Sequence, residues 1–179
     1  MSNFIYIATS LDGYIARKDG DLEWLLNIET HEIDGDYGYD EFLKNIDAIV
    51  MGRGTFDFIK QIEPWVYQQP VYVLSTSMKE IDIPLNIKGK IELLSNSPEE
   101  IVRNLKKKNL NNLYIDGGKA IQSFLKAGLI DEMIITRIPI LLGSGIPLFG
   151  ELSNDILWKH KQTITYENGL VKSHYCRKI

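Results

Sequence analysis

Short apolar runs broken by polar, glycine-marked segments recur along the chain, each four or five residues long. Runs of that length, rich in β-branched and aromatic residues, predict buried strands. They fall at Phe4–Ala8, Asp47–Met51, Val71–Leu74, Ile91–Leu94, Leu113–Asp116 and Met133–Arg137. Between them lie helical signals. Leu22–Ile28 reads as a short helix with Asp21 as its N-cap, and Phe42, Leu43 and Ile46 make one apolar face. Thr55–Gln61 follows a strand directly. Ser97-Pro98-Glu99-Glu100 opens a helix with a capping hydroxyl, a first-position proline and acids in the first turn, and Lys119–Ala127 ends at Gly128. Turn signals stand at Leu11–Tyr14 and Lys18–Asp21. After a glycine-rich loop, Leu141–Gly150, a hairpin is expected from Trp158–Tyr166 and Leu170–Tyr175 around Glu167-Asn168-Gly169. This alternation predicts one α/β domain over residues 1–179. Three layers are expected, around a mostly parallel sheet with an antiparallel C-terminal hairpin.

Composition narrows the partners. A net charge of −4 argues against nucleic acid or an anionic membrane surface. No apolar run approaches the ~20 residues of a membrane helix, and no signal peptide is visible at the start. A lone cysteine, Cys176, reads as a packed strand residue in a reducing, cytoplasmic setting. His31, His160 and His174 show no metal-ligand spacing, so no metal site is expected. Six carboxylates between Glu29 and Glu41 surround Gly35 and Gly38. They miss the calcium-loop pattern and read as a solvated acidic loop.

Chemistry gathers at two places where a strand runs through glycine into a helix. One is Met51-Gly52-Arg53-Gly54-Thr55, the other Asp116-Gly117-Gly118-Lys119. A helix start offers unpaired N–H groups and partial positive charge, and glycine lets an anion approach them closely. Two such junctions suggest a ligand with several phosphates, such as a dinucleotide. Neither matches the Rossmann or P-loop fingerprint.

Taken in order, Ala8-Thr9-Ser10-Leu11-Asp12-Gly13-Tyr14-Ile15-Ala16, Met51–Thr55, Val73-Leu74-Ser75 and Asp116-Gly117-Gly118 resemble the landmarks of the dihydrofolate reductase fold. Leu125–Glu132 and Pro139–Phe149 bring the pattern close to the reductase domain of the bifunctional riboflavin-biosynthesis deaminase–reductase and its stand-alone relatives. The likeness covers nearly the whole chain and includes no deaminase domain. It implies NADPH across the carboxyl ends of the parallel strands. Ala8 would touch the nicotinamide side, and Trp24 is a further cofactor-side candidate. Gly52, Arg53, Gly54 and Thr55 would hold phosphates, with Arg53 on the ribose phosphate that separates NADPH from NADH. Ser75 and Thr76 would serve the adenosine side, while Gly117, Gly118, Lys119, Ala120 and Ile121 wrap the pyrophosphate.

The resemblance also places Asp116 where the riboflavin enzyme has a carboxylate facing substrate. Asp116 and Asp21 are the candidate proton donors. The Arg that grips the substrate phosphate in that enzyme is absent from Phe56-Asp57-Phe58-Ile59-Lys60-Gln61-Ile62-Glu63-Pro64-Trp65. The reading is an NADPH-dependent reductase of a C=N or C=O in a small heterocyclic substrate. The alternatives are a pterin reductase and a non-catalytic nucleotide sensor. Close backbone approach leads one to expect that Gly118→Val abolishes cofactor binding without unfolding the protein. The apolar stretch Met133–Phe149 suggests a homodimer.

Overall fold

A computed structural model describes residues 1–27 and 36–178. The strands are β1 (Ser2–Thr9), β2 (Tyr14–Ala16), β3 (Ala48–Gly52), β4 (Val71–Leu74), β5 (Ile91–Leu94), β6 (Asn112–Asp116), β7 (Glu132–Arg137), β8 (Ile146–Pro147), β9 (Trp158–Thr165) and β10 (Val171–Arg177). The α-helices are α1 (Glu23–Leu26), α2 (Tyr39–Leu43), α3 (Arg53–Ile59), α4 (Pro98–Lys107) and α5 (Gly118–Lys126). Among the described residues, one sheet runs in the order β5-β4-β3-β6-β1-β7-β10-β9. Its first six strands are parallel, and β10 and β9 join antiparallel at the far edge.

Strand alternation sorts the core into two layers. Ala48 and Val50 of β3 and Leu113 and Ile115 of β6 face α4 and α5, packing with Leu105, Ile121 and Phe124. Ile49, Met51 and Tyr114 face the other side, where α3 contributes Phe56 and Ile59, and Phe42 and Leu43 pack from α2. Sheet and two flanking layers follow directly. Ser97 caps α4 by accepting the Glu100 N–H at 3.3 Å, and Glu100 reaches back to the Ser97 N–H at the same distance. Gly128, at φ +66°, terminates α5 as expected.

Several elements depart from the sequence reading. The N-cap of α1 is Leu22, not Asp21. The Asp21 carboxylate accepts the Glu23 N–H from one position further out, at 3.3 Å. Helix α1 is only one turn, and Ile28 lies outside the described residues, as do residues 29–35 of the acidic stretch. In the described remainder Asp36 accepts the N–H groups of Gly38 and Asp40 at the start of α2, and Glu41 pairs with Lys44. A ribbon of β2 with β8 sits inside segments read as turn and loop. Two or three residues carry too little periodicity to announce a strand. Asp12 ties the glycine-rich loop to this ribbon by accepting the Leu142 and Gly143 N–H groups at 3.2 and 2.7 Å.

The stretch Met133–Phe149 divides. Met133, Ile135, Ile138 and Leu148 are buried, whereas Leu141 is 71% exposed and Phe149 about half exposed. Among the described residues no helix is long and apolar enough to cross a membrane.

Phe56, fully buried, fixes the start of α3 against β3. Phe56→Ala is expected to cost about 3–5 kcal/mol, the range for emptying an aromatic core site. Urea unfolding checks this, and a loss below 1 kcal/mol would mean that α3 is held in place by something else.

Candidate active site

Register brings the two glycine junctions together. β3 and β6 are parallel neighbours with Met51 opposite Asp116, so both chains leave the sheet at the same level. The contact is direct. A Cβ built on Gly117 would collide with the Thr55 hydroxyl and stand 3.8 Å from the Gly52 nitrogen. Gly117 has φ +86° and ψ 143°, a conformation that side chains other than glycine's rarely tolerate. Glycine is required here by the protein's own packing.

The same edge collects the other expected phosphate and adenosine residues. Gly52 pairs with Leu74, which sets Ser75 to Ser77 beside the start of α3. Arg53 lies across that gap, donating to the Ser77 hydroxyl at 3.0 Å and to Asp57 at 3.2 Å. Ser75 uses its oxygen to accept the Ser77 and Met78 N–H groups, at 3.3 and 3.0 Å, while Thr76 is exposed. Cβ atoms built on Gly52 and Gly54 meet nothing within 4 Å. In α5, Lys119 is exposed, whereas Ala120 and Ile121 turn into the core. Ile121 also gives its N–H to the Gly117 carbonyl at 2.9 Å. The groups that a helix start leaves unpaired are therefore the N–H groups of Gly118, Lys119 and Ala120.

Gly118 is more closely surrounded than Gly52 or Gly54. Its Cβ would stand 3.0 Å from Ile15 Cδ1 and 3.5 Å from Ile146 Cγ2 and the Pro147 carbonyl oxygen, so the β2–β8 ribbon fills the space beside it. Valine at 118 would require Ile15 to shift, so its effect would mix packing with ligand approach. Gly54 is the cleaner probe of ligand approach.

Ala8 and Trp24 belong to one apolar cluster. Trp24 is 8% exposed, packed with Ile138 and Leu170, and Ala8 lies against that cluster. The Trp24 indole N–H is buried without a hydrogen-bond partner, as is that of Trp65. An orphaned buried donor is costly, so each invites an acceptor from elsewhere. Asp21 stands apart from this group, ion-paired with Arg17 at 3.5 Å on an exposed loop.

Asp116 ends β6 on the sheet face shared with α2 and α3. Burial pushes its carboxyl up to about 6, against the Gly117 N–H that donates to Oδ1 at 2.8 Å. Around it are phenols that the sequence reading did not single out. Tyr114 donates to the Tyr6 carbonyl at 2.9 Å, and Tyr39 and Tyr67 share a 3.3 Å hydroxyl contact. All three hydroxyls are pushed up by burial, that of Tyr39 to about 12. The one signal available was spacing, since Tyr114 precedes Asp116 by two and so shares its face. The segment lacking the expected Arg holds Lys60, and Asp57 neutralises it at 2.6 Å. Among the described residues no three His, Cys, Asp or Glu side chains gather as a metal site would require.

Comparison with known proteins places this arrangement. The RibD C-terminal domain family matches residues 4–172. The chain belongs to that family. It is 36% identical to the Bacillus subtilis protein YwjB, over 97% of this chain and 96% of that one. A solved structure from Shewanella sp. PV-4, named for riboflavin biosynthesis, is 43% identical with a TM-score of 0.93 and full coverage of both chains. The Thermotoga maritima diaminohydroxyphosphoribosylaminopyrimidine deaminase/5-amino-6-(5-phosphoribosylamino)uracil reductase shares the fold at a TM-score of 0.71 and 18% identity. There the match takes in 99% of this chain and 56% of that one. The fold is thus dihydrofolate reductase-like, and membership of a reductase-domain family supports an oxidoreductase.

A carboxyl whose folded value lies above its unfolded one costs stability once ionised, so that cost grows as pH rises from about 4 to 6. Asp116→Asn removes it. The variant is expected to be more stable than wild type at pH 7.5 by up to about 3 kcal/mol, the gap closing as pH falls toward 4. Urea unfolding at several pH values tests this, and a variant less stable at pH 7.5 would contradict it.

Proposed function

We propose that this protein is an NADPH-dependent reductase that delivers hydride to a C=N or C=O carbon of a small heterocyclic substrate. The observation that carries the reading is the abutment of Gly117 on Thr55 and Gly52, which joins two ligand-facing junctions into one edge. Residues present fit the cofactor. Gly52 and Gly54 leave room for close approach, Arg53 and Ser75 to Ser77 supply donors for a ribose phosphate, and the first turn of α5 offers N–H groups to the pyrophosphate. Ala8 and Trp24 share one cluster, and the unpartnered Trp24 N–H supports assigning it to the nicotinamide side. NADPH, when bound, supplies the hydride, and the protein's share is alignment, exclusion of water and a proton.

Asp116 is the favoured proton donor, because burial holds its acidity near neutrality. Asp21, ion-paired with Arg17, is the second candidate. The substrate resembles the ribosylaminopyrimidine of riboflavin biosynthesis in its ring. With Lys60 neutralised by Asp57 and no Arg in that segment, it binds without a strong grip on phosphate. Exposed Leu141 and Phe149 support a homodimer, and the composition supports a cytoplasmic protein. A nucleotide sensor without turnover is the second reading, favoured only by that missing Arg.

Arg53→Ala is expected to weaken NADPH binding by about 1.5–3 kcal/mol, the scale of a hydrogen bond to a charged group. NADH should lose much less. Calorimetric titration with both cofactors checks this; equal losses would remove Arg53 from the ribose phosphate.

A further inference from the structure

Arg53, Asp57 and Lys60 follow one another at spacings of four and three along α3 and its C-cap, so they share one face of the helix. The Asp57 carboxylate stands between the two cations. Its Oδ2 accepts the Arg53 Nε–H at 3.2 Å, and its Oδ1 accepts from the Lys60 ammonium at 2.6 Å. Those bonds, Lys60 foremost, hold the Asp57 carboxyl below the usual carboxylate range, so it is ionised at neutral pH. The Lys60 ammonium also lies over the ring of buried Phe56, 5.7 Å from its centroid.

A guanidinium carries five N–H groups. Arg53 commits Nε–H to Asp57 and one Nη1–H to Ser77, at 3.0 Å. One hydrogen on Nη1 and both on Nη2 remain for the parallel pair of bonds that a phosphate takes. A carboxylate that pins an arginine also cancels its charge toward an incoming anion. Here Lys60 offsets the carboxylate, and the three side chains together keep one net positive charge.

The geometry points to Asp57 and Lys60 as positioning residues for cofactor choice. Asp57 fixes the Arg53 side chain with its Nη pair left for the ribose phosphate that separates NADPH from NADH, and Lys60 offsets the charge of Asp57 so that Arg53 still attracts that phosphate. This rests on the reading of Arg53 as the ribose-phosphate residue. It gives Lys60, which stands in the segment without the substrate-phosphate Arg, a role on the cofactor side instead. The Arg53 and Asp57 side chains are 51% and 39% exposed, so solvent screens each pair and the effect is a few-fold one.

The test is calorimetric titration with NADPH and NADH at low salt. Lys60→Met keeps an unbranched side chain beside Phe56 and removes the charge. It should raise the Kd for NADPH about three- to fivefold and leave that for NADH within about twofold. Lys60→Arg should bind both cofactors as wild type does. In the double variant Asp57→Asn, Lys60→Met the negative charge is gone too, while an amide oxygen still accepts the Arg53 Nε–H. Its NADPH binding should return to the wild-type value. A preference for NADPH unmoved by Lys60→Met, or a double variant that binds NADPH no better than Lys60→Met, overturns the inference. Arg53→Ala, titrated alongside, separates the two readings. Selective loss of NADPH in Arg53→Ala with none in Lys60→Met removes only the role of Asp57 and Lys60. Equal losses of both cofactors in Arg53→Ala remove the ribose-phosphate reading, and this inference with it.

Discussion

The pairing of β3 with β6 sets everything that matters at the carboxyl edge. Met51 faces Asp116 across the ladder, so a shift of one residue would separate Gly52 and Thr55 from Gly117 and turn Asp116 to the opposite face. The register is protected by burial on both sides of the sheet, because Ile49 and Met51 of β3 point to one core and Ala48 and Val50 to the other. Hydrophobic sorting therefore decides, at a distance, which backbone N–H groups and which carboxyl share one rim. Parallel strands bind ligands at this end because their helices start here, with donors unpaired and dipoles aligned.

The two sides of Asp116 do different work. Toward α5, Gly117 gives it a backbone N–H and a tight turn. Toward α2 and the segment after α3 it meets a layer of buried, hydrogen-bonded phenols that add no charge beside it. Lysine and arginine are kept elsewhere, Lys60 on Asp57 and Arg53 across to Ser77. On the proposed reading, anion binding falls to the edge at β3 and β4.

Strand order, helix α4 with its capping box, and the terminal hairpin were legible because each rests on local periodicity and punctuation. The strand–glycine–helix junctions at Gly52-Arg53 and Gly117 were legible because such junctions are local too. Other features depend on contacts distant in sequence. Gly118 looks like a ligand glycine until Ile15 and Ile146 occupy the space beside it, and the β2–β8 ribbon has no periodicity of its own. Asp21 looks like a cap, yet the helix begins a residue later and Arg17 takes its charge. Tyr39 and Tyr67 are far from Asp116 in the chain, and nothing local announces that their hydroxyls meet beside it.

The central claim is that one dinucleotide spans the edge formed by the two junctions. Hydrogen–deuterium exchange with and without saturating NADPH tests it most directly. The account predicts protection at Gly52–Thr55, Ser75–Ser77 and Gly118–Ala120 together, with little change along β9. Protection confined to one junction, or lying away from the carboxyl ends of β3, β4 and β6, would contradict it.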